Sequence, residues 1–177
     1  NQQYNTGGAT ANSAMTIGVA GFGNTGAINV AGNGTSALAA GNAALNAIDA
    51  SAGVAFNGPG ALALLNTQGN SGPVMATVAL NALSDGGSSV TNLLNNTASA
   101  AAYGNSAVNQ LTATALPNQL MASANLTSVQ NNTGAVTAMV TGNITSSGTA
   151  GSVNISGNRV SALAVGNSSI SSMMLGR

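Results

Sequence analysis

The feature that most constrains this chain is internal repetition. The segment Ile28–Ile48, INVAGNGTSALAAGNAALNAI, returns as Val153–Met173, VNISGNRVSALAVGNSSISSM. Gly32, Asn33, Ser36, Ala37, Leu38, Gly41 and Asn42 fall on the identical residues Gly157, Asn158, Ser161, Ala162, Leu163, Gly166 and Asn167. A third copy, Thr91–Leu111, lies between them. There Asn96, Ser99, Ala100, Gly104, Asn105 and Asn109 take the places of Asn33, Ser36, Ala37, Gly41, Asn42 and Asn46. The step is 63 residues from Asn42 to Asn105 and 62 from Asn105 to Asn167. A second block keeps that step: Gln68–Val78, QGNSGPVMATV, and Gln130–Val140, QNNTGAVTAMV, with a degraded copy, QYNTGGATANS, at Gln3–Ser13. Each unit thus opens on Gln-x-Asn-Ser/Thr-Gly. A period of this size marks one supersecondary unit that cannot bury its apolar face alone and stacks on its neighbours. Three imperfect units of about 62 residues, 1–51, 52–113 and 114–177, make one continuous repeat domain.

Within a unit the pattern is that of strands. Val74, Ala76, Val78, Leu80 and Ala82 alternate with Met75, Thr77, Ala79 and Asn81, and Val136, Ala138 and Val140 keep the same phase. Alternation with period two means strand. The Gly-Asn pairs at 23–24, 32–33, 41–42, 104–105, 157–158 and 166–167 are expected to be turns, since both residues tolerate positive φ. They would cut the chain into short strands. The Ala-rich stretches Ala37–Ala40 and Ala43–Ile48 allow a helix on composition, but the Gly-Asn break between them argues against one. Pro59 and Pro117 fall between units, where a ladder N–H is least needed. The expectation is an all-β fold, a β-solenoid or amyloid-like stack of β-layers.

Composition sharpens this. Charged residues are 2% and aromatic residues 2% of the chain, with no Lys, His, Cys or Trp; an ordinary soluble domain is about 25% charged. No His/Cys metal site and no Ser–His or Cys–His pair can be built. No basic patch exists to neutralise phosphates, which excludes nucleic acid. No apolar run is long enough for a spanning helix. Disorder fits poorly, because disordered chains are charged and poor in apolar residues. Small side chains let facing sheets approach closely, and repetition then supplies the burial. Ala37, Ala100 and Ala162, with Val74, Val78, Val136 and Val140, are the expected repeat core. Asn33, Asn96 and Asn158 are expected to stack as one amide ladder, and Asn42, Asn105 and Asn167 as another. Gln3, Gln68 and Gln130 mark the repeat starts. A charge in such a column would sit beside its own copies and be repelled, a physical reason for so few charges.

At Gly21–Thr25 (GFGNT) and Tyr103–Gln110 (YGNSAVNQ) the chain resembles the Gly-Asn-x-Ala…Gln portion of curlin repeats. At Gly23–Gly32 (GNTGAINVAG) and Asn1–Asn5 (NQQYN) it resembles the Fap-type fibre repeat. It departs from both in the length of its unit. The resemblance implies a bacterial functional amyloid: a secreted, cell-surface, self-assembling fibre of biofilm or adhesion. The partner would be the chain itself, head to tail, with a nucleator or an outer-membrane export partner. A start at Asn1 rather than Met fits a removed signal or a fragment. A rigid adhesin stalk and an ice-binding solenoid are the alternatives. An enzyme, a cofactor and membrane insertion are not expected.

Three motifs point elsewhere and fail on context. Gly21-Phe22-Gly23-Asn24-Thr25-Gly26 spells a dinucleotide fingerprint, but no helix follows the third Gly to meet a pyrophosphate. Asn24, Asn33 and Asn42 recur at nine residues like a calcium β-roll, yet such a site needs carboxylates where this stretch has amides. Asp49 and Asp85 could be imagined as a glycosidase pair, but no positioning groups or aromatic platform accompany them. Both are expected in solvated links. Arg159, in the place of Gly34 and Thr97, is expected to point outward from a strand end.

Overall fold

A computed structural model describes residues 1–20, 28–50, 61–85, 90–114, 123–147 and 152–176. Among them the chain is all-β. The strands are β1 (Gln2–Asn5), β2 (Ala9–Ala20), β3 (Ile28–Ala31), β4 (Gly34–Ala50), β5 (Ala61–Asn70) and β6 (Val74–Asp85), then β7 (Val90–Leu94), β8 (Thr97–Thr114), β9 (Ser123–Asn132), β10 (Val136–Ser147), β11 (Ser152–Ser156) and β12 (Arg159–Gly176). They form four three-stranded parallel sheets, ordered β1-β5-β9, β10-β6-β2, β11-β7-β3 and β12-β8-β4. The chain therefore visits the four sheets in the same order three times. The middle pass supplies the central strand of each sheet, and the first and third passes supply the edges.

Register follows sequence spacing. Gln3 pairs with Gln68 and Gln68 with Gln130. Ala37 pairs with Ala100 and Ala100 with Ala162, Asn42 with Asn105 and Asn105 with Asn167. Val78 pairs with Val140. Like therefore lies beside like, which a parallel in-register sheet tolerates when the side chains are neutral.

The long strands β4, β8 and β12 form one wall. They face two shorter sheets, built on β5 and β6, across a thin interior. Val74, Ala76, Val78 and Leu80 of β6 pack against Ala98, Ala100 and Ala102 of β8 and against Ala37 and Ala39 of β4. Small side chains on the wall and Val or Leu opposite fill the gap between the sheets, so the core is dry but narrow.

The described Gly-Asn pairs, all expected to be turns, are of two kinds. At 32–33 and 157–158 the pairs are turns, with Gly32 at φ 71 and Gly157 at φ 67. The equivalent position in the middle pass is Asn95, at φ 55, which an Asn tolerates because its short polar side chain bonds locally. At 41–42, 104–105 and 166–167 the expectation fails: these pairs lie inside β4, β8 and β12, strands of 17, 18 and 18 residues. The glycine there serves close approach. A Cβ on Gly41 would meet the Gly104 carbonyl oxygen at 2.5 Å and Asn70 Oδ1 at 2.6 Å. A Cβ on Gly104 would run into the Gly166 carbonyl and the Asn132 amide. The inward alternation also changes phase at this point, from Ala98, Ala100 and Ala102 to Asn105, Ala107 and Asn109. Ala37–Ala40 and Ala43–Ile48 are strand throughout.

Asp49 lies inside β4 and is exposed there, and Asp85 is the last residue of β6. Neither belongs to a link, because the strands run further than the turn signals suggested. Gly21–Gly26, Pro59 and Pro117 lie outside the described residues.

Candidate functional site

The polar interior is a set of amide columns. In the middle pass Asn66, Gln68, Asn70, Asn96, Asn105 and Asn109 are all buried, which is tolerable only if each is hydrogen-bonded. Asn105 Nδ2 donates to Asn167 Oδ1 at 2.7 Å and to the Asn131 carbonyl at 2.9 Å, while its Oδ1 accepts from Asn42 Nδ2 at 2.8 Å. Asn96 uses all four of its bonding positions. Its Oδ1 accepts from the Nδ2 and backbone N–H of Asn33, and its Nδ2 donates to Asn158 Oδ1 and the Val30 carbonyl. Gln68 Nε2 donates to Gln3 Oε1 at 2.8 Å and to the Ser106 carbonyl, and its Oε1 accepts from Gln130 Nε2 at 2.7 Å. One amide thus ties its own sheet along the stacking direction and reaches across the interior to the facing strand.

Sequence reasoning missed one column of equal rank. Asn5 Nδ2 donates to Asn70 Oδ1 at 2.9 Å, and Asn70 Nδ2 donates to Asn132 Oδ1 at 2.7 Å. Asn70 and Asn132 also donate to the carbonyls of Gly72 and Gly134, two residues on. These bonds close the corner between β5 and β6 and between β9 and β10. The signal was present: Asn5, Asn70 and Asn132 are the Asn of the Gln-x-Asn-Ser/Thr-Gly opening. Asn46 donating to Asn109 Oδ1 at 2.8 Å is a further rung.

The columns have a direction. In the Asn33, Asn42 and Asn5 columns the earlier pass donates to the later one. In the Gln column the later pass donates to the earlier. The first-pass and third-pass ends are therefore complementary to each other and not to themselves.

Burial separates the third pass from the middle one. Val160 is 60% exposed where its paired residue Ala98 is 1% exposed, and Met173 is 45% exposed where Leu111 is 0%. Ala162, expected in the core, is exposed, and Val136 and Val140 are only half-buried. The cause is position in the stack. These side chains stand in the inward rows, but no further layer covers them. Ala37, Ala100, Val74 and Val78 are buried.

The remaining features offer little chemistry. An open groove of about 370 Å³ runs beside Tyr4, Gln68, Gly69 and Val129, where Tyr4 lies over Gly69; no titratable group other than Tyr4 lines it. Asn33 stands at a turn and Asn42 inside a strand with its amide bonded, so the nine-residue spacing does not describe equivalent positions. Arg159 opens β12 and is exposed. No protein-family model, no curated protein and no solved structure matches this chain.

Proposed function

We propose that this chain is the structural subunit of a self-assembling extracellular fibre. It is read as an all-β solenoid of three imperfect repeats, each one layer, growing head to tail as a homopolymer. The observation that carries this reading is the open third layer: Ile155, Val160, Met173 and Leu175 are exposed in rows whose middle-pass members are buried. Soluble repeat arrays end in polar caps, and exposed sheet edges are blunted with charge or proline. The described strands contain no Pro and no Lys, and β12 carries one Arg at its first residue. A first pass laid on the third would continue the register of 62 to 65 residues and the direction of every buried amide column. The opposite pairing, third pass on third pass, would set donors against donors in the Asn columns and acceptors against acceptors in the Gln column.

The resemblance to curlin-type and Fap-type repeats supports the same reading and adds its setting, a secreted biofilm or adhesion fibre at the cell surface. Catalysis is not part of this reading. The ice-binding alternative wants an unbroken outward Thr ladder, and the row Thr10–Met75–Thr137 is interrupted by Met75.

The test uses two substitutions in one register column. Ala162→Asp places a charge on the exposed end layer, where the single chain tolerates it and a docking copy does not. Ala100→Asp places it where water is excluded, a large penalty without a partner. Ala162→Asp is expected to fold with wild-type circular dichroism and to form no fibres; Ala100→Asp is expected not to fold. Fibres of Ala162→Asp with wild-type lag and yield would refute end-to-end docking through this layer.

A further inference from the structure

The outward face of the long wall β4-β8-β12 carries a pattern that end-to-end growth does not use. The change of phase at Gly41, Gly104 and Gly166 places two apolar rows at equal distances from the centre of this face. Before Gly41 the outward row of β4 ends in Leu38 and Ala40; after it, the row begins with Ala43 and Leu45. Read outward from the centre, each half gives Ala, then Leu. The registered positions of β8 and β12 keep the outer step, with Ala101 and Val108, and Leu163 and Ile170. Leu45 is 79% and Ile170 64% exposed. The opposite outer surface differs: β6 turns out Met75, Thr77, Ala79 and Asn81, mostly small or polar. This face is therefore uncharged over its middle and carries two apolar rows, Leu38–Ala101–Leu163 and Leu45–Val108–Ile170, at equal distances from its centre, where Tyr103 and Val165 stand opposite Ser106 and Ser168.

We infer that this face is an interface between two copies of this chain, packed sheet on sheet about a two-fold axis parallel to the direction in which the strands stack. A two-fold contact needs a self-complementary patch, and the mirrored rows provide one: Leu38 of one copy meets Leu45 of the other, Ala101 meets Val108, and Leu163 meets Ile170. The size fits. Seventeen residues at about 3.3 Å each and three strands about 4.8 Å apart make a face of roughly 800 Å², the share each partner gives to a standard stable interface. The charges choose the axis. Exposed Arg159 stands at the start of this wall and exposed Asp49 near its finish. An axis along the stacking direction lays start over finish and brings opposite charges to the same border. An axis along the strands would lay the Arg row on the Arg row. In a head-to-tail stack the third layer of one copy is followed by the first layer of the next, so the two rows come within about one layer spacing. Only this last step rests on the fibre reading; the apolar face belongs to every copy.

The chain has no Cys, so introduced thiols are unique. The experiment compares Ala101→Cys, Val108→Cys and the double variant, each treated with a bismaleimide that spans about 10 Å, the usual gap between packed sheets. The double variant is expected to give covalent dimers and each single variant none. Along one strand the two thiols are about 23 Å apart, and copies in a filament repeat each thiol about 14 Å away, both beyond the linker. Cross-linking of either single variant as efficiently as the double would overturn the proposed axis. No cross-linking of the double variant, in chain that is folded by circular dichroism, would overturn the interface. The reaction is run on the soluble chain before growth and again on the pelleted filament, so failure to pair laterally is read separately from failure to grow.

Discussion

Asn105 holds three passes of the chain together with one side chain. Removing it by Asn105→Ala leaves the buried Asn42 amide without its acceptor, takes the donor from the Asn131 carbonyl and breaks two rungs of the column. A buried polar group left unpaired costs about 1–3 kcal/mol, so a loss of about 2 kcal/mol is expected in urea unfolding of the assembly-blocked Ala162→Asp background. Asn105→Asp should lose more at neutral pH, since it replaces two donors by acceptors and buries a charge. Burial raises the pKa of such a carboxyl in the folded state above its unfolded value of about 3.9. The folded state then binds the proton more tightly, so the penalty is full above the folded pKa and fades as pH falls towards the unfolded one. Stability of Asn105→Asp that rises with pH would contradict this. Glycine gives a second contrast. Gly104→Ala drives a methyl into the Gly166 backbone and is expected to lose at least about 3 kcal/mol, the upper range for overpacking. Gly142→Ala meets nothing within 4 Å and should gain about 0.5 kcal/mol by restricting the unfolded chain. Melting curves of the two variants separate these outcomes.

Strands and their turns were legible to different degrees. The all-β character was open to reading because Val74, Ala76, Val78 and Leu80 alternate cleanly and no segment holds a helical period. The lengths of β4, β8 and β12 were not. Gly-Asn is compatible with a turn and with a close backbone approach, and only the neighbouring layer decides which. At Gly32 no atom would meet a Cβ and φ is positive; at Gly41 the Gly104 carbonyl and Asn70 fill the space. The exposure of Ala162 against the burial of Ala100 was equally hidden, because the local sequences agree and the difference lies in what covers them. The Asn5–Asn70–Asn132 column was within reach, carried by the same five-residue opening that marked the Gln residues. The turn between β7 and β8 tests how local geometry is shared between passes. Asn95 holds there the left-handed conformation that Gly32 and Gly157 hold in the other passes. Asn95→Gly is expected to be close to neutral, and Asn95→Val to lose about 1–2 kcal/mol, the penalty of a left-handed Cβ. Equal melting temperatures for the two variants would mean that this turn is not under conformational demand.

At the scale of the whole molecule, the middle pass is covered on both sides, and its rows of Ala, Val and Asn are finished only there. The third pass repeats those rows without a cover. With 2% charged residues, the chain has little means of keeping such a layer apart from a second copy, and net charge near zero favours association. Its columns have direction, so growth of the proposed fibre should be polar, each added copy presenting the same open layer that received it. The long wall is then the proposed second, lateral surface, of different chemistry from the ends. In the proposed fibre, the third layer of one copy receives the first layer of the next. Sedimentation of purified chain at micromolar concentration over days, with electron micrographs of the pelleted fraction, probes this contact. The expected result is a lag, then loss of monomer into unbranched filaments whose diffraction repeats at about 4.8 Å along the axis. A monomer that persists for days at that concentration, folded and unpelleted, would contradict it.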